Sequence, residues 1–183
     1  MKKEKKRILY IHGYGGLGNS RTAQALKDYL PEYYDVFEPC FPLNPSEALK
    51  LASETVLKEA IDIIVASSLG AFTALQLHVY TPKIVINPCL FPSKELSKRT
   101  KISNDILQKF VELEEQRDTD DELWGLGLSE SDITFGVFST NDGLFSYKDQ
   151  FLKHYSNVLM IEDTHRISVD NVKKVIVPII STL

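Results

Sequence analysis

The segment Ile61-Asp62-Ile63-Ile64-Val65-Ala66-Ser67-Ser68-Leu69-Gly70-Ala71-Phe72 runs from an apolar stretch into small residues around a serine, and a helix-period pattern follows at once. Such a stretch reads as strand, sharp turn and helix, with one hydroxyl held in the open at the turn. Ala66 and Gly70 flank Ser68 at a distance of two residues on each side. Strand and helix pass so closely at such an elbow that a larger substituent on either flank would collide. The same residues also fit an ordinary βα turn, because serine is a common turn and helix-cap residue. The remainder of the chain has to decide between the two.

Working outward, 183 residues suffice for one ordinary domain with a substantial core. The composition is globular, with 43% hydrophobic and 25% charged residues. A net charge of -4 gives no general attraction for nucleic acid, and none is expected as a partner. The basic run 2–7 leads into only Ile8-Leu9-Tyr10-Ile11, too short for a signal-peptide core, and no later run could span a bilayer. A cytoplasmic protein away from membranes, with Cys40 and Cys89 as reduced thiols, is the expectation.

Strand-length apolar runs at 7–12, 36–40, 61–67, 83–87, 134–139 and 158–161 alternate with helix-period stretches at 20–30, 46–59, 69–80, 145–154 and 168–180. Ser20, Ser46 and Ser168 precede three of those stretches as candidate N-caps. Nearly continuous runs such as Ile8-Leu9-Tyr10-Ile11 fit strands buried on both faces. The alternation predicts an α/β three-layer sandwich with a mostly parallel six-stranded sheet, in a single domain over 1–183. The connection 87–134 is longer than a crossover helix requires. Its core, 90–131, with a helix expected at 102–117, is either a cap over a site or surface decoration.

In open α/β sheets ligands meet the carboxyl ends of the strands. Those tips deliver His12-Gly13-Tyr14, Ser67-Ser68, Asn141-Asp142-Gly143 and Asp163-Thr164-His165. A serine, an aspartate and a histidine thus reach one edge in the order Ser, Asp, His, which is the order of α/β-hydrolases. A serine hydroxyl attacks only when a neighbouring imidazole takes its proton, and a carboxylate behind the imidazole fixes its tautomer. Ser68, His165 and Asp142 are the expected nucleophile, base and acid. The backbone N–H groups of Leu69 and Tyr14 are the expected oxyanion donors. Asp163 is a rival acid, but it lies two residues from His165 and would have trouble reaching back to that ring. His154 and His78 are weaker bases on helix patterns, and Asp35 and Asp62 are worse placed than either aspartate. Asn141-Asp142-Gly143 is also a hairpin signal, although the next residues read as a helix.

A different class stays open. Gly13-Tyr14-Gly15-Gly16-Leu17-Gly18 matches G-x-G-x-x-G after a first strand, and Glu38 stands where a ribose-binding acid would. That reading gives a dinucleotide module. It expects a helix beginning within the glycines, whereas Asn19-Ser20 suggests a cap and a later start.

With Ile8-Leu9-Tyr10-Ile11-His12-Gly13-Tyr14, Ala66-Ser67-Ser68-Leu69-Gly70, Val85-Ile86-Asn87-Pro88, Asp142 and His165 together, the chain resembles the small bacterial esterases of the α/β-hydrolase superfamily, in particular the YqiA-like group. The resemblance implies a minimal α/β-hydrolase fold without the superfamily's first two strands. It implies the same roles for Ser68, Asp142, His165, Tyr14 and Leu69. Ala66 and Ala71 depart from the glycines usual beside the elbow, without removing a reacting group. The expected reaction is cleavage of a small-molecule acyl ester or thioester through an acyl-enzyme, with no cofactor and no metal. His12, Phe91 and Trp124, with Tyr14, are the expected pocket residues. A non-catalytic interaction protein on the same fold is the remaining alternative.

Overall fold

The structure is a computed structural model and describes residues 5–120 and 130–183. Strands β1 (Lys6–Ile11), β2 (Tyr34–Phe37), β3 (Ile63–Ser67), β4 (Lys83–Ile86), β5 (Thr134–Asn141) and β6 (Asn157–Thr164) form one sheet in the order β2-β1-β3-β4-β5-β6. Each pairing is parallel, from Ile8 beside Ile63 in the centre to Phe135 beside Asn157 at the edge. A sheet of this kind must be covered on both faces, and its residues alternate accordingly. Leu9, Ile11, Ile64, Ala66, Val85 and Phe138 point to one face, and Ile8, Tyr10, Ile63, Val65, Ile84 and Val137 to the other.

Helices α1 (Arg21–Tyr29), α2 (Pro45–Lys58), α3 (Leu69–Leu75), α4 (Pro92–Arg99), α5 (Asn104–Asp120), α6 (Lys148–Phe151), α7 (Val169–Asn171) and α8 (Val177–Thr182) connect and cover the strands. Helix α1 and the carboxyl-terminal helices bury Ala23, Leu26, Val172, Ile176 and Ile180 against one face. Helices α2, α3 and α6 bury Ala52, Ala71, Ala74 and Phe151 against the other. A π-helical turn, Val172–Ile176, joins α7 to α8 just ahead of Pro178.

Several local expectations need correction. Asn44, not Ser46, caps α2: its Oδ1 accepts the Ser46 N–H at 3.2 Å, and Pro45 takes the first helical position, where it forfeits no bond. The helix expected over 69–80 stops at Leu75. The one expected over 145–154 shrinks to Lys148–Phe151, because the Asp142 carboxylate draws the N–H groups of Leu144 and Phe145 into a turn. Within the long connection α4 went unread; it starts at Pro92, and α5 carries the expected later helix. Phe72, Leu96 and Phe110 form a third apolar cluster that seats these two helices on α3.

Candidate active site

The strand order reverses at β1, between β2 and β3, so the crevice at their carboxyl ends is the expected ligand position. Ser68 stands at that crevice with φ 52° and ψ -119°, a conformation that non-glycine residues adopt at a cost of about 1–3 kcal/mol. Three backbone hydrogen bonds hold it there. Its N–H donates to Ile86 O at 2.9 Å, and its carbonyl accepts from Ala71 and Cys89, each at 3.1 Å. At about 0.5–1.5 kcal/mol apiece, these bonds match the strain. Although Ser68 caps α3, its hydroxyl makes no capping bond and is left for other work.

Gly70 explains the small flank. A Cβ there would collide with the carbonyl oxygens of Ile11 and His12, which are backbone and cannot swing away. Gly70→Ala is expected to cost about 3 kcal/mol, roughly 6–12 °C in Tm for a chain of this size. An unchanged melting temperature would show that the elbow does not press on β1.

The Ser68 hydroxyl lies 3.0 Å from His165 Nε2, and His165 Nδ1 lies 2.8 Å from Asp142 Oδ2. A carboxylate facing Nδ1 fixes the proton on that nitrogen and leaves the Nε2 lone pair for the hydroxyl proton. Burial by itself would push the Asp142 carboxyl up. The hydrogen bond from His165, the N–H groups of Leu144 and Phe145 on Oδ1, and the imidazole charge outweigh it, so the group sits below its usual value. The Phe145 ring stands edge-on to the His165 ring with centroids 4.9 Å apart, and covers it.

The other candidates are committed elsewhere. Asp163 accepts the N–H groups of Thr164 and Ser168 and the Asn171 carboxamide, so it builds the loop carrying His165 and the start of α7. Asp62 accepts the Arg7 N–H at the opposite end of the sheet, and Asp35 pairs with Lys5. His78 and His154 are exposed. Burial, followed by the charges of Glu95 and Glu114, raises the Cys89 thiol to about 12, which removes it as a competing nucleophile.

A cavity of about 300 Å³ is lined among others by His12, Tyr14, Phe41, Leu69, Thr73 and Phe110; Ser68 and His165 are not in its wall, but Gly13 and Leu69, which flank Ser68, are. Among the described residues no Asp, Glu, Lys or Arg lines it. His12 accepts the Phe41 N–H on Nε2 at 3.0 Å, so its Nδ1 carries the proton and donates to Gly13 O at 2.9 Å. Both ring nitrogens are spent on shaping the cavity wall. Gly13 lies against Ser68, where an added Cβ would sit 3.1 Å from the serine Cβ, and Tyr14, half exposed, follows it at the rim. Phe91 does not line this cavity; its ring packs edge-on to Tyr147 at 5.3 Å. Trp124 lies outside the described residues.

Sequence reasoning missed the bracing of the acid's loop. The Tyr147 hydroxyl donates to buried Glu95 of α4 at 2.7 Å, and Arg99 Nη2 donates to Leu144 O at 2.6 Å. It also gave no role to Asn87, read as the end of a strand and as part of the Val85-Ile86-Asn87-Pro88 segment that carries the family resemblance. The available signal was an asparagine, a residue tolerant of positive φ, at a strand tip.

Among the described residues no group of three or more His, Cys, Asp or Glu is placed to hold a metal ion, and no helix is long and apolar enough to cross a membrane. At the glycine-rich turn, the Ser20 hydroxyl accepts the Ala23 N–H and Glu38 Oε1 accepts the Ser20 N–H at 2.8 Å, with α1 beginning beyond the glycines.

The sheet order, the crossovers and the strained serine at the third strand's tip define an α/β-hydrolase fold. The chain belongs to the uncharacterised protein family UPF0227, whose model matches residues 7–183. Solved structures share the fold at low identity. One is an α/β-hydrolase enzyme from the metagenome of lagoon sediments at Mar Chica, Morocco (TM-score 0.62, 15% identity, 98% of this chain and 90% of that one). A second is YbtT, a type II thioesterase of the yersiniabactin biosynthetic pathway (0.58, 12%, 99% and 94%). A third is a serine hydrolase from the polyaromatic-hydrocarbon-degrading bacterium Cycloclasticus zankles (0.57, 16%, 93% and 86%).

Proposed function

We propose that this protein is a serine hydrolase of carboxylic esters or thioesters, acting through an acyl-enzyme, as a single cytoplasmic domain that needs no cofactor. The observation that carries the reading is the continuous chain from Asp142 through His165 to the Ser68 hydroxyl, with bonds of 2.8 and 3.0 Å. In the proposed reaction the Ser68 Oγ attacks the acyl carbon while His165 Nε2 takes its proton. The oxyanion forms against the backbone N–H groups of Leu69 and Tyr14. His165 then hands the proton to the departing alcohol or thiol, and water repeats the sequence on the acyl-enzyme. Asp142 keeps the imidazole in the required tautomer and stabilises its charged form. A cavity without charged side chains among its described lining residues suits a neutral acyl group, and α5, which contributes Phe110 to its wall, serves as a cap beside it.

The thioester half of the proposal has the likeness to YbtT, a thioesterase by name, in its favour. The dinucleotide reading is disfavoured by the self-capped start of α1 and by the bond from Ser20 to Glu38. The decisive experiment is labelling with a fluorophosphonate probe followed by intact-mass analysis. One phosphonyl adduct is expected on the wild-type chain and none on Ser68→Ala. Absence of labelling on the wild type, or equal labelling of both, removes the mechanism.

A further inference from the structure

We propose that Asn87 is a positioning residue for His165: its buried carboxamide fixes the backbone from which the imidazole reaches Ser68. The proposal rests on the hydrolase reading for its kinetic consequence. The geometry behind it stands independently.

Asn87 follows β4 directly, is 2% exposed and has φ 45°, a left-handed conformation that asparagine tolerates better than most residues. Its N–H donates to Val137 O at 2.8 Å, the last backbone rung between β4 and β5. The chain then turns away and the side chain continues the ladder in its place. Oδ1 accepts the Ser139 N–H at 2.7 Å. Nδ2 donates to Ser139 Oγ and to the His165 carbonyl, each at 2.9 Å, with Thr164 O at 3.3 Å sharing a hydrogen. The assignment of oxygen and nitrogen is forced, because a backbone N–H faces one end and two carbonyls face the other.

This bridge lies where the sheet itself stops holding the loop. The pairing of β5 with β6 becomes irregular between Ser139 and Asn141, just before His165 leaves the sheet. His165 is therefore gripped from two sides, by Asn87 on its carbonyl and by Asp142 on its ring. Loss of the first grip removes the hydrogen bond on the His165 carbonyl itself, leaving the backbone there to be placed by the Asp163-braced turn and the ring contacts. A displacement of about 1 Å at a reacting group can cost a factor of about 100 in rate.

The test uses two variants of the full chain. Asn87→Gly accepts positive φ without strain and removes the carboxamide. Asn87→Asp keeps the size and the acceptor for Ser139 N–H and, assayed at a pH at which its carboxyl is ionised, has no hydrogen to offer the His165 carbonyl. With p-nitrophenyl acetate, and rates normalised to the folded fraction from melting curves, both are expected to lose about 10- to 100-fold in kcat with KM within about threefold. The second readout is the low-field proton resonance of His165 Nδ1–H in the Asp142 hydrogen bond, assigned by its loss in His165→Ala. It is expected to broaden or shift upfield in both Asn87 variants. Wild-type kcat and an unmoved resonance in either variant would overturn the proposal. If the wild-type chain neither turns over nor labels, the hydrolase reading fails, and the resonance alone decides whether Asn87 positions His165.

Discussion

Ser68→Ala is expected to lower kcat for an acyl ester by about a millionfold, with KM nearly unchanged. The magnitude follows from the division of labour in a hydroxyl–imidazole pair. The nucleophile exists only while both partners are present, so removing one abolishes what the pair does together. In the proposed mechanism ground-state affinity survives, because there the cavity walls would hold the acyl group and backbone N–H groups the carbonyl, none of which the substitution touches. The fold survives as well, since the hydroxyl bonds to His165 and caps nothing. Steady-state turnover checks this, and an alanine variant within about tenfold of the wild type would mean that Ser68 is not the attacking group.

Asp142→Asn is expected to cost about 10⁴ in kcat, a loss larger than its small change in shape suggests. The carboxamide oxygen can still accept from Leu144 and Phe145, which leaves its NH₂ facing His165 Nδ1. That nitrogen must then accept, the proton moves to Nε2, and the lone pair that would take the serine proton is gone. The same substitution carries a stability signature. The Asp142 carboxyl is held below its ordinary value of 3.8, so its contribution is complete above that pH and is lost as the pH falls through the lower, folded-state value. In urea titrations across the acid range, the stability gap between wild type and Asp142→Asn should narrow below pH 3.8. A gap that is constant with pH would show that the folded state does not favour the ionised carboxylate.

The parts of this molecule legible from the chain are those that obey local rules. Ser20 and Ser168 cap their helices as their positions foretell, and the buried runs around Ile8, Ile63 and Ile84 announce strands covered on both faces. Side chains at strand tips are legible for the same reason, because parallel crossovers return every strand in one direction. What stayed hidden depends on partners remote in sequence. Asn87 is a polar residue after a strand until Ser139 and His165 arrive beside it, 52 and 78 residues later. Glu95 reads as an ordinary helix acid, and only the tertiary fold brings Tyr147 against it. Phe145 is the exception, since the carboxylate that claims its N–H lies only three residues earlier, a local turn signal that the apolar helix pattern over 145–154 outweighed. The helix α4 went unread although Pro92, a residue at home in the first helical position, opens it.

The separation of 97 residues between Ser68 and His165 bears on how the protein is made. Synthesis delivers the elbow, the glycine-rich turn and the acid's strand while β6 is still unmade, and each parallel pairing waits for its crossover to close. A chain emerging from the ribosome up to β5 holds Ser68 without the His165 imidazole that bonds its hydroxyl. On the proposed mechanism its reactivity arrives with its final segment, and a copy cut short before β6 is expected to be chemically silent.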